Sequence, residues 1–334
     1  MPRPLDAPAR TRHGRTLLWC GVGTALGALY VGAAVLLQRM LPDAGLPGRL
    51  VHYTPPAVFL LPLAVPALAC LTCRRFGLLA ANVALILLGV AWLMPPSSPE
   101  LRPPTASAAR VRLVTWNVHE EVGATAPLSA ALARQQPQIV CLQEARRDVF
   151  ARLLPGAESA HTDEVTTLTT GHIEAKRAVR LGPHPNIRWG LETTIRLPQG
   201  AVTVLNVHLV RTFAERRVPW YWYGLGCFTG QVEQVRRLEA EAVVAWLAQT
   251  PGPCIVAGDF NTPPQTAVYR KLAAAATDAF AVCGAGWGYT YPRGCPVVRL
   301  DYVFCGSGVT PTAVHAVSGG VSDHRLVVAD VALE

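Results

Sequence analysis

No cysteine or serine in this 334-residue chain stands in the setting of an activated nucleophile, and no histidine pair has zinc-site spacing. That speaks against a covalent-nucleophile hydrolase and against a zinc centre. Lysine is nearly absent: Lys176 and Lys271 are the only two among 30 basic residues. With so strong a bias toward arginine, a single arginine says little about phosphate binding. Charge is scarce, at 16% of residues, and unevenly spread. Residues 1–104 carry nine arginines against three acids, a net of +6 out of the total of +8. Residues 105–334 carry 21 basic residues against 19 acids, a net of +2. The basic excess therefore belongs to the N-terminal part and is not the footprint of a nucleic-acid-binding face.

What the N-terminal part has instead is apolar length. Leu17 to Leu37 is a run of 21 residues without a charge, and Phe76 to Met94 is a second run of 19, ended by Pro95-Pro96. Such helices span roughly 30 Å, the thickness of a bilayer core. Between them, Ala57 to Cys73 is also uncharged but contains Pro62 and Pro66, which a kinked membrane helix tolerates. Residues 1–94 are thus expected to form a membrane domain of three transmembrane helices, near 17–37, 55–73 and 76–94. A cleaved signal peptide is disfavoured because two apolar runs follow the first. Gly23-x-x-x-Gly27 fits a helix-packing motif. Arg3, Arg10, Arg12 and Arg15 precede the first run, and Arg74 and Arg75 lie between the middle segment and the run that starts at Phe76, while the loop between the first run and the middle segment holds only Arg39 and Arg49. The positive-inside rule then predicts a multi-pass cell-membrane protein with a cytoplasmic N-terminus and an extracytoplasmic C-terminal domain.

Residues 95–110 hold five prolines and read as an extended linker. The remainder, 111–334, is long enough for a large core. Val111 to Val118 alternates and ends in a polar cluster, as a strand reaching Asn117. Leu128 to Gln135 reads as a helix, and Ile139 to Leu142 as a buried strand delivering Gln143 and Glu144. Thr166–Thr170, Glu192–Leu197 and Ala201–Leu209 are further strands, the last with Asn206 and His208 on one face. Gln231 to Ala248 has the apolar stripe of an amphipathic helix. Cys254 to Ala257 is a buried strand that delivers Asp259 and Asn261, with Phe260 pointing the other way. A helix near Thr266–Ala275, the strand Leu300–Phe304 and the segment Ser322-Asp323-His324 complete the chain. Alternating strands and helices predict layered α/β architecture.

Asn117, Glu144, His208, Asp259, Asn261, Asp301, Asp323 and His324 all fall at or near strand ends, where α/β proteins place chemistry. The set suits phosphate-ester hydrolysis. Carboxylates hold a hard cation such as Mg²⁺ and position water; imidazoles supply protons or hydrogen bonds to developing charge; amides bind phosphate oxygens without adding negative charge.

Thr115-Trp116-Asn117, Leu142-Gln143-Glu144, Asn206-Val207-His208-Leu209, Gly258-Asp259-Phe260-Asn261, Arg299-Leu300-Asp301-Tyr302 and Ser322-Asp323-His324 resemble, in order, the successive motifs of the endonuclease/exonuclease/phosphatase superfamily with its DNase I-like fold. The resemblance covers nearly all of 111–334. It implies a four-layer α/β sandwich, two packed mixed β-sheets flanked by helices, with the site at one end. It implies Glu144 as the main ligand of Mg²⁺ or Mn²⁺, Asn117 near metal and phosphate, and Asp323 as an aid to a second metal. It implies that Asp259 acts on the attacking water, Asn261 binds phosphate, Asp301 orients His324, and His208 assists the leaving group. Which residue is the base stays open. The chain departs at Leu168-Thr169-Thr170, where the family often has Leu-Ser-Arg and this chain has no arginine.

The expected function is a membrane-anchored, metal-dependent phosphodiesterase acting on phospholipid head groups or nucleic acid, without an obligate protein partner. The alternative is a membrane-tethered binding module with an inactive site. Pro219-Trp220-Tyr221-Trp222-Tyr223 fits an apolar cluster under a loop, a membrane-surface belt or a platform for nucleobases. Cys283 and Cys295 flank a glycine-rich loop and are expected to be able to pair outside the cytoplasm.

Overall fold

A computed structural model of the chain describes residues 7–41, 43, 45–99, 110–119, 125–145, 153–162, 164–182, 188–211 and 230–334. The Pro219–Tyr223 aromatic run, Cys227 and most of the expected linker lie outside these residues. The chain divides into two compact units. One comprises Met1–Pro42 with Thr54–Pro95, and the other Asp43–Tyr53 with Pro96–Glu334. The expected division at residue 94 is contiguous, whereas here a segment from between the apolar runs groups with the C-terminal sandwich.

In the apolar unit, α1 spans Ala7–Met40; after α2 (Leu46–Tyr53), which belongs to the other unit, come the 3-10 helix Pro56–Leu63, α3 (Ala64–Thr72) and α4 (Phe76–Leu93). Among the described residues two helices are long and apolar enough to cross a membrane, Arg15–Met40 and Phe76–Leu93. The expected third helix at 55–73 is not a single helix. It is the 3-10 segment running into α3, separated from α2 by a break. Proline explains the break: Pro55 and Pro56 stand at the bend and Pro62 lies inside the 3-10 turn, each without an N–H to continue a helical ladder. The Gly23/Gly27 face packs on this segment. A Cβ at Gly27 would lie 2.8 Å from Leu63 Cδ2, and one at Gly23 3.2 Å from Pro66 Cβ. Asn82 of α4 donates to Thr24 of α1 at 2.8 Å, a polar tie inside apolar surroundings.

The sandwich unit is built on alternation. Its strands are β1 (Arg110–Asn117), β2 (Ile139–Gln143), β3 (Glu158–His161), β4 (Val165–Thr169), β5 (His172–Arg180), β6 (Trp189–Leu197) and β7 (Gly200–His208), then β8 (Cys254–Asp259), β9 (Thr277–Asp278), β10 (Asp301–Cys305), β11 (Val309–Val317) and β12 (Leu326–Leu333). The helices are α5 (Thr125–Gln135), α6 (Gly230–Gln249), α7 (Ala267–Ala275) and α8 (Ala279–Cys283). Two six-stranded sheets form, ordered β11-β12-β1-β2-β4-β3 and β5-β6-β7-β8-β10-β9. Both are mixed: β1/β2 and β7/β8 are parallel, and their other neighbours antiparallel.

Every second residue of the central strands faces the opposite sheet. Val111, Leu113, Ile139 and Cys141 meet Val202, Val204, Ile255, Ala257 and Val303 in one core. The intervening residues face outward. Val114, Trp116, Val140 and Leu142 pack on Leu128 and Leu132 of α5. Leu205, Val207, Val256 and Phe304 pack on Val235, Val243 and Trp246 of α6 and on Val268 and Leu272 of α7. The layers are therefore helix, sheet, sheet, helix, as the resemblance implies. The same alternation aims Asn117, Gln143, His208, Asp259 and Asp301 inward at one end of the sandwich.

Cys283 and Cys295 are not joined in a disulfide; Cys283 Sγ donates to Pro311 O at 3.2 Å, while Cys295 is exposed. At the start of the expected linker, Ser97 and Gly286 exchange backbone hydrogen bonds of 2.7 and 3.0 Å.

Gly258 has φ +154°, and a Cβ there would lie 1.9 Å from Val207 O on the paired strand. Gly258→Ala is therefore expected to destabilise the sandwich by at least about 3 kcal/mol, read as a lowered Tm of the purified full-length chain.

Candidate active site

Register brings the polar strand ends together. His208 is the pairing partner of Asp259 in the parallel β7/β8 pair, Asp301 of Asp259 in the antiparallel β8/β10 pair, and Asn117 of Gln143 in β1/β2. Below them Gln143 and Asn206 tie the two sheets. Gln143 Nε2 donates to Asn206 Oδ1 at 2.8 Å and to Thr115 Oγ1 at 3.0 Å, and Asn206 Nδ2 donates to Thr166 O at 3.0 Å. These buried amides bond one another across the sheets, while Gln143 Oε1 is left buried without a hydrogen-bond partner. Asn206, which shares the inward face of β7 with His208, belongs to this floor.

Asp259 is the hub, fully buried at the end of β8. Its Oδ1 accepts from the Asn261 N–H at 2.9 Å and its Oδ2 from Asn117 Nδ2 at 3.0 Å. The same Asn117 amide donates to Glu144 Oε1 at 2.7 Å, so one side chain joins the two carboxylates. His324 Nε2 stands 3.8 Å and His208 Nε2 3.9 Å from Asp259 Oδ2. His324 Nδ1 bonds Asp301 Oδ2 at 2.9 Å. The loop bearing His324 is fixed to β1: Ser322 Oγ donates to Asn117 O at 2.6 Å and accepts from the His324 N–H at 3.0 Å, and Trp116 Nε1 donates to His324 O at 3.2 Å. Glu144, His119 and Asn261 adopt φ of +52°, +50° and +49°, a conformation uncommon outside glycine and concentrated here at one site.

All eight residues singled out from the sequence gather at this end. Asp323 lies at the rim, its side chain 37% exposed, with Oδ2 3.9 Å from His119 Nδ1. Asn261 is buried and spends its Nδ2 on Leu209 O at 3.0 Å. Three groups were not read from the sequence. Glu164 Oε2 lies 3.4 Å from His208 Nδ1 and pairs with Arg188, so His208 has a carboxylate of its own, as His324 has Asp301. His119 Nδ1 lies 3.4 Å from Glu144 Oε2. Arg211 pairs with Glu144 Oε1. Glu164 reaches the site through antiparallel β2/β4 pairing and the Ala145 N–H bond to Glu164 O at 3.1 Å, long-range partners that no local pattern marks.

The charges sustain one another. For Asp259, burial favours the neutral acid, but His324 and His208 outweigh it and hold the carboxyl below its ordinary range. Burial, opposed by His324, raises Asp301. For His324, burial disfavours the cation, but Asp301 and Asp259 outweigh it and push the ring up to about 9. For Glu164, burial is likewise overcome, by His208 and Arg188, and the carboxyl falls to about 2.

The residues present fit a divalent cation. Asp259, Asp301 and His324 each offer an atom, all within 4.8 Å of one another. A protonated imidazole has no lone pair for a metal, however, and the His324 ring keeps its proton through neutral pH. Glu144 provides the other oxygen donor, and His208 leaves Nε2 buried without a hydrogen bond, 3.9 Å from Glu144 Oε1. Unpaired buried polar atoms around carboxylate oxygens fit a site for a hard cation and its bound oxygens.

Because the raised value belongs to the folded state, His324 is charged across neutral pH and loses its proton as pH rises through about 9. Histidine NMR of the full chain, with His324→Gln for assignment, checks this. Asp301→Asn is expected to move the His324 titration to lower pH, since the largest raising influence is removed.

No curated protein matches the chain. Among solved structures, an endonuclease/exonuclease/phosphatase from Bacteroides vulgatus aligns at TM-score 0.55 and 16% identity, covering 68% of this chain and all (100%) of that one. Humanized D. rerio TDP2 aligns at 0.52 and 16%, covering 66% and 98%. The human Nocturnin catalytic domain, solved with a bound sulfate anion, aligns at 0.50 and 19%, covering 70% and 100%. At these identities the likeness is one of fold. The sequence profile of the Endonuclease/Exonuclease/phosphatase family matches residues 114–324, well over half of the chain, and the protein belongs to that family.

Proposed function

We propose that the protein is a membrane-anchored phosphodiesterase that uses Mg²⁺ or Mn²⁺. The observation that carries this reading is the convergence on Asp259: a buried ionised carboxylate between two imidazoles and joined to Glu144 through Asn117. Glu144 would hold the cation, with Asn117 beside it and Asp323 at the rim for a second one. Bound there, the cation offsets negative charge on the phosphoryl and leaving oxygens. Asp259, kept ionised, orients a water and takes its proton as the water oxygen bonds to phosphorus. His324, kept protonated by Asp301, donates to a non-bridging phosphoryl oxygen, where negative charge grows. His208, oriented by Glu164, delivers a proton to the leaving oxygen as the ester bond breaks. Asn261 sits where it can meet a phosphate oxygen once the Leu209 contact yields.

Between the two substrate classes, phospholipid head groups are favoured. The net charge of +2 over residues 105–334 is small for a duplex-binding face, and the chain carries membrane-length apolar helices.

The segment Asp43–Tyr53 supports one reading of the membrane topology. It is part of the sandwich unit, where Tyr53 Oη donates to Glu233 at 2.7 Å and Asp43 pairs with Arg237 at 3.3 Å. A segment folded into that unit lies on the same side of the bilayer. The chain therefore crosses an even number of times between Tyr53 and Pro96. α4 is one crossing, and Pro56–Thr72, broken as it is, is the segment available for the other. α1 then puts the N-terminus opposite the sandwich. Arg10, Arg12, Arg15, Arg74 and Arg75 share that opposite side, so the positive-inside rule places it in the cytoplasm and the sandwich outside.

Full-length protein in detergent with Mg²⁺ or Mn²⁺ is expected to hydrolyse a generic phosphodiester and to act on sphingomyelin or phosphoinositides better than on plasmid DNA. EDTA should abolish turnover, and Asp259→Ala should lower kcat by about 10²-fold or more. Absence of turnover on every substrate, or turnover indifferent to Asp259→Ala, would support the inactive binding module. For topology, a membrane-impermeant maleimide is expected to label exposed Cys295 on intact cells, and Cys295→Ser to lose that label. Labelling of Cys295 only after permeabilisation would place the sandwich inside.

A further inference from the structure

The family's usual arginine motif is missing at Leu168-Thr169-Thr170, and the fold shows that this slot could not have served. Thr169 pairs with Ile139, at the start of β2, whereas the site lies beyond Gln143 at its end. Leu168-Thr169-Thr170 is thus at the far end of the sheet. Two arginines do reach the site's carboxylates among the described residues. Arg188 is committed to Glu164. The other is Arg211, three residues past His208 and paired with Glu144.

Arg211 leaves a backbone that is fixed on every side. The Leu209 N–H donates to Asp259 O at 2.9 Å, and Leu209 O accepts from Asn261 at 3.0 Å. The Val210 N–H donates to Glu239 Oε2 at 2.8 Å, while Val210 O accepts from Arg236 Nη2 at 3.1 Å. Glu239 and Arg236 are both buried on α6, and Arg236 Nη1 in turn donates to Tyr53 Oη at 2.5 Å. Both polar groups of Val210 are therefore held by side chains, and the residue after it has one direction to take. Its guanidinium meets Glu144 at one nitrogen while the side chain remains 35% exposed. A guanidinium carries five donors in a planar fork, so an edge is left for a tetrahedral oxyanion.

We propose that Arg211 is the substrate-phosphate receptor of this site, and that it holds Glu144 until a cation does. This rests on the phosphodiesterase reading. Glu144 is nearly buried, and a buried carboxylate needs a positive partner. Arg211 supplies it in the cation-free protein. A divalent cation at Glu144 takes over that role, and the guanidinium turns to the non-bridging oxygens of the phosphodiester beside it. Arg211 and the cation thus compete for Glu144 and cooperate on the phosphate.

The competition gives a two-sided test on the full-length chain in detergent. Mn²⁺ binding is followed by the loss of the free-ion EPR signal. Inorganic phosphate binding to the Mn²⁺-loaded protein is followed by calorimetry in a phosphate-free buffer. Arg211→Ala is expected to bind Mn²⁺ several-fold more tightly and phosphate about tenfold more weakly, with Arg211→Lys recovering part of the phosphate affinity. Unchanged phosphate affinity in Arg211→Ala overturns the proposal, even with tighter Mn²⁺, because Arg211 is then only a counter-ion. Weaker Mn²⁺ binding also overturns it. Wild-type protein that binds neither Mn²⁺ nor phosphate overturns the functional reading itself, a result distinct from either.

Discussion

The architecture turns on keeping a carboxylate ionised where water is scarce. Asp259 is fully buried, and burial alone would neutralise it. Two imidazoles from different sheets' ends, an amide from β1 and a backbone N–H from its own turn prevent that. Each partner has a support: Asp301 for His324, Glu164 for His208, Ser322 for the loop that carries His324. Leaving any one of these charges alone in the interior would cost several kcal/mol, so the group stands or falls as a set. The sandwich delivers the set because inward-facing positions on five strands terminate at one edge, above the Gln143–Asn206 tie.

Much of this was legible in the sequence because strand alternation is local. Val111 to Asn117 and Cys254 to Asp259 announce both their apolar inward positions and the polar residue that ends them. The ordered motifs then fix which strand ends meet. What could not be read is what depends on distant pairing. Glu164 looks like an ordinary loop acid, and only the β2/β4 register sets it beside His208. Arg211 is one arginine among many in the sequence, and only the fold pairs it with Glu144. Cys283 and Cys295 looked able to pair, but Cys283 is held near Pro311 instead.

The N-terminal part shows the same division. Composition identifies apolar helices, yet not how prolines distribute a span. Pro55, Pro56 and Pro62 turn the expected middle helix into a 3-10 segment followed by a short α-helix. Nor does composition reveal that Asp43–Tyr53, a polar stretch between two apolar runs, folds with the sandwich. Its Tyr53 hydroxyl accepts from Arg236, which donates to Val210 O, so a segment between the apolar helices helps to hold the chain just past His208.

The central claim is that Glu144 holds a cation next to an ionised Asp259 and a protonated His324. Crystals of the full-length protein soaked in Mn²⁺ test it most directly, through the anomalous signal of the metal. The account predicts a peak bonded to the Glu144 carboxylate, lost in Glu144→Gln, with His324 still bonded to Asp301. A peak bonded to the His324 ring between Asp259 and Asp301, or no peak at this end of the sandwich, would contradict it.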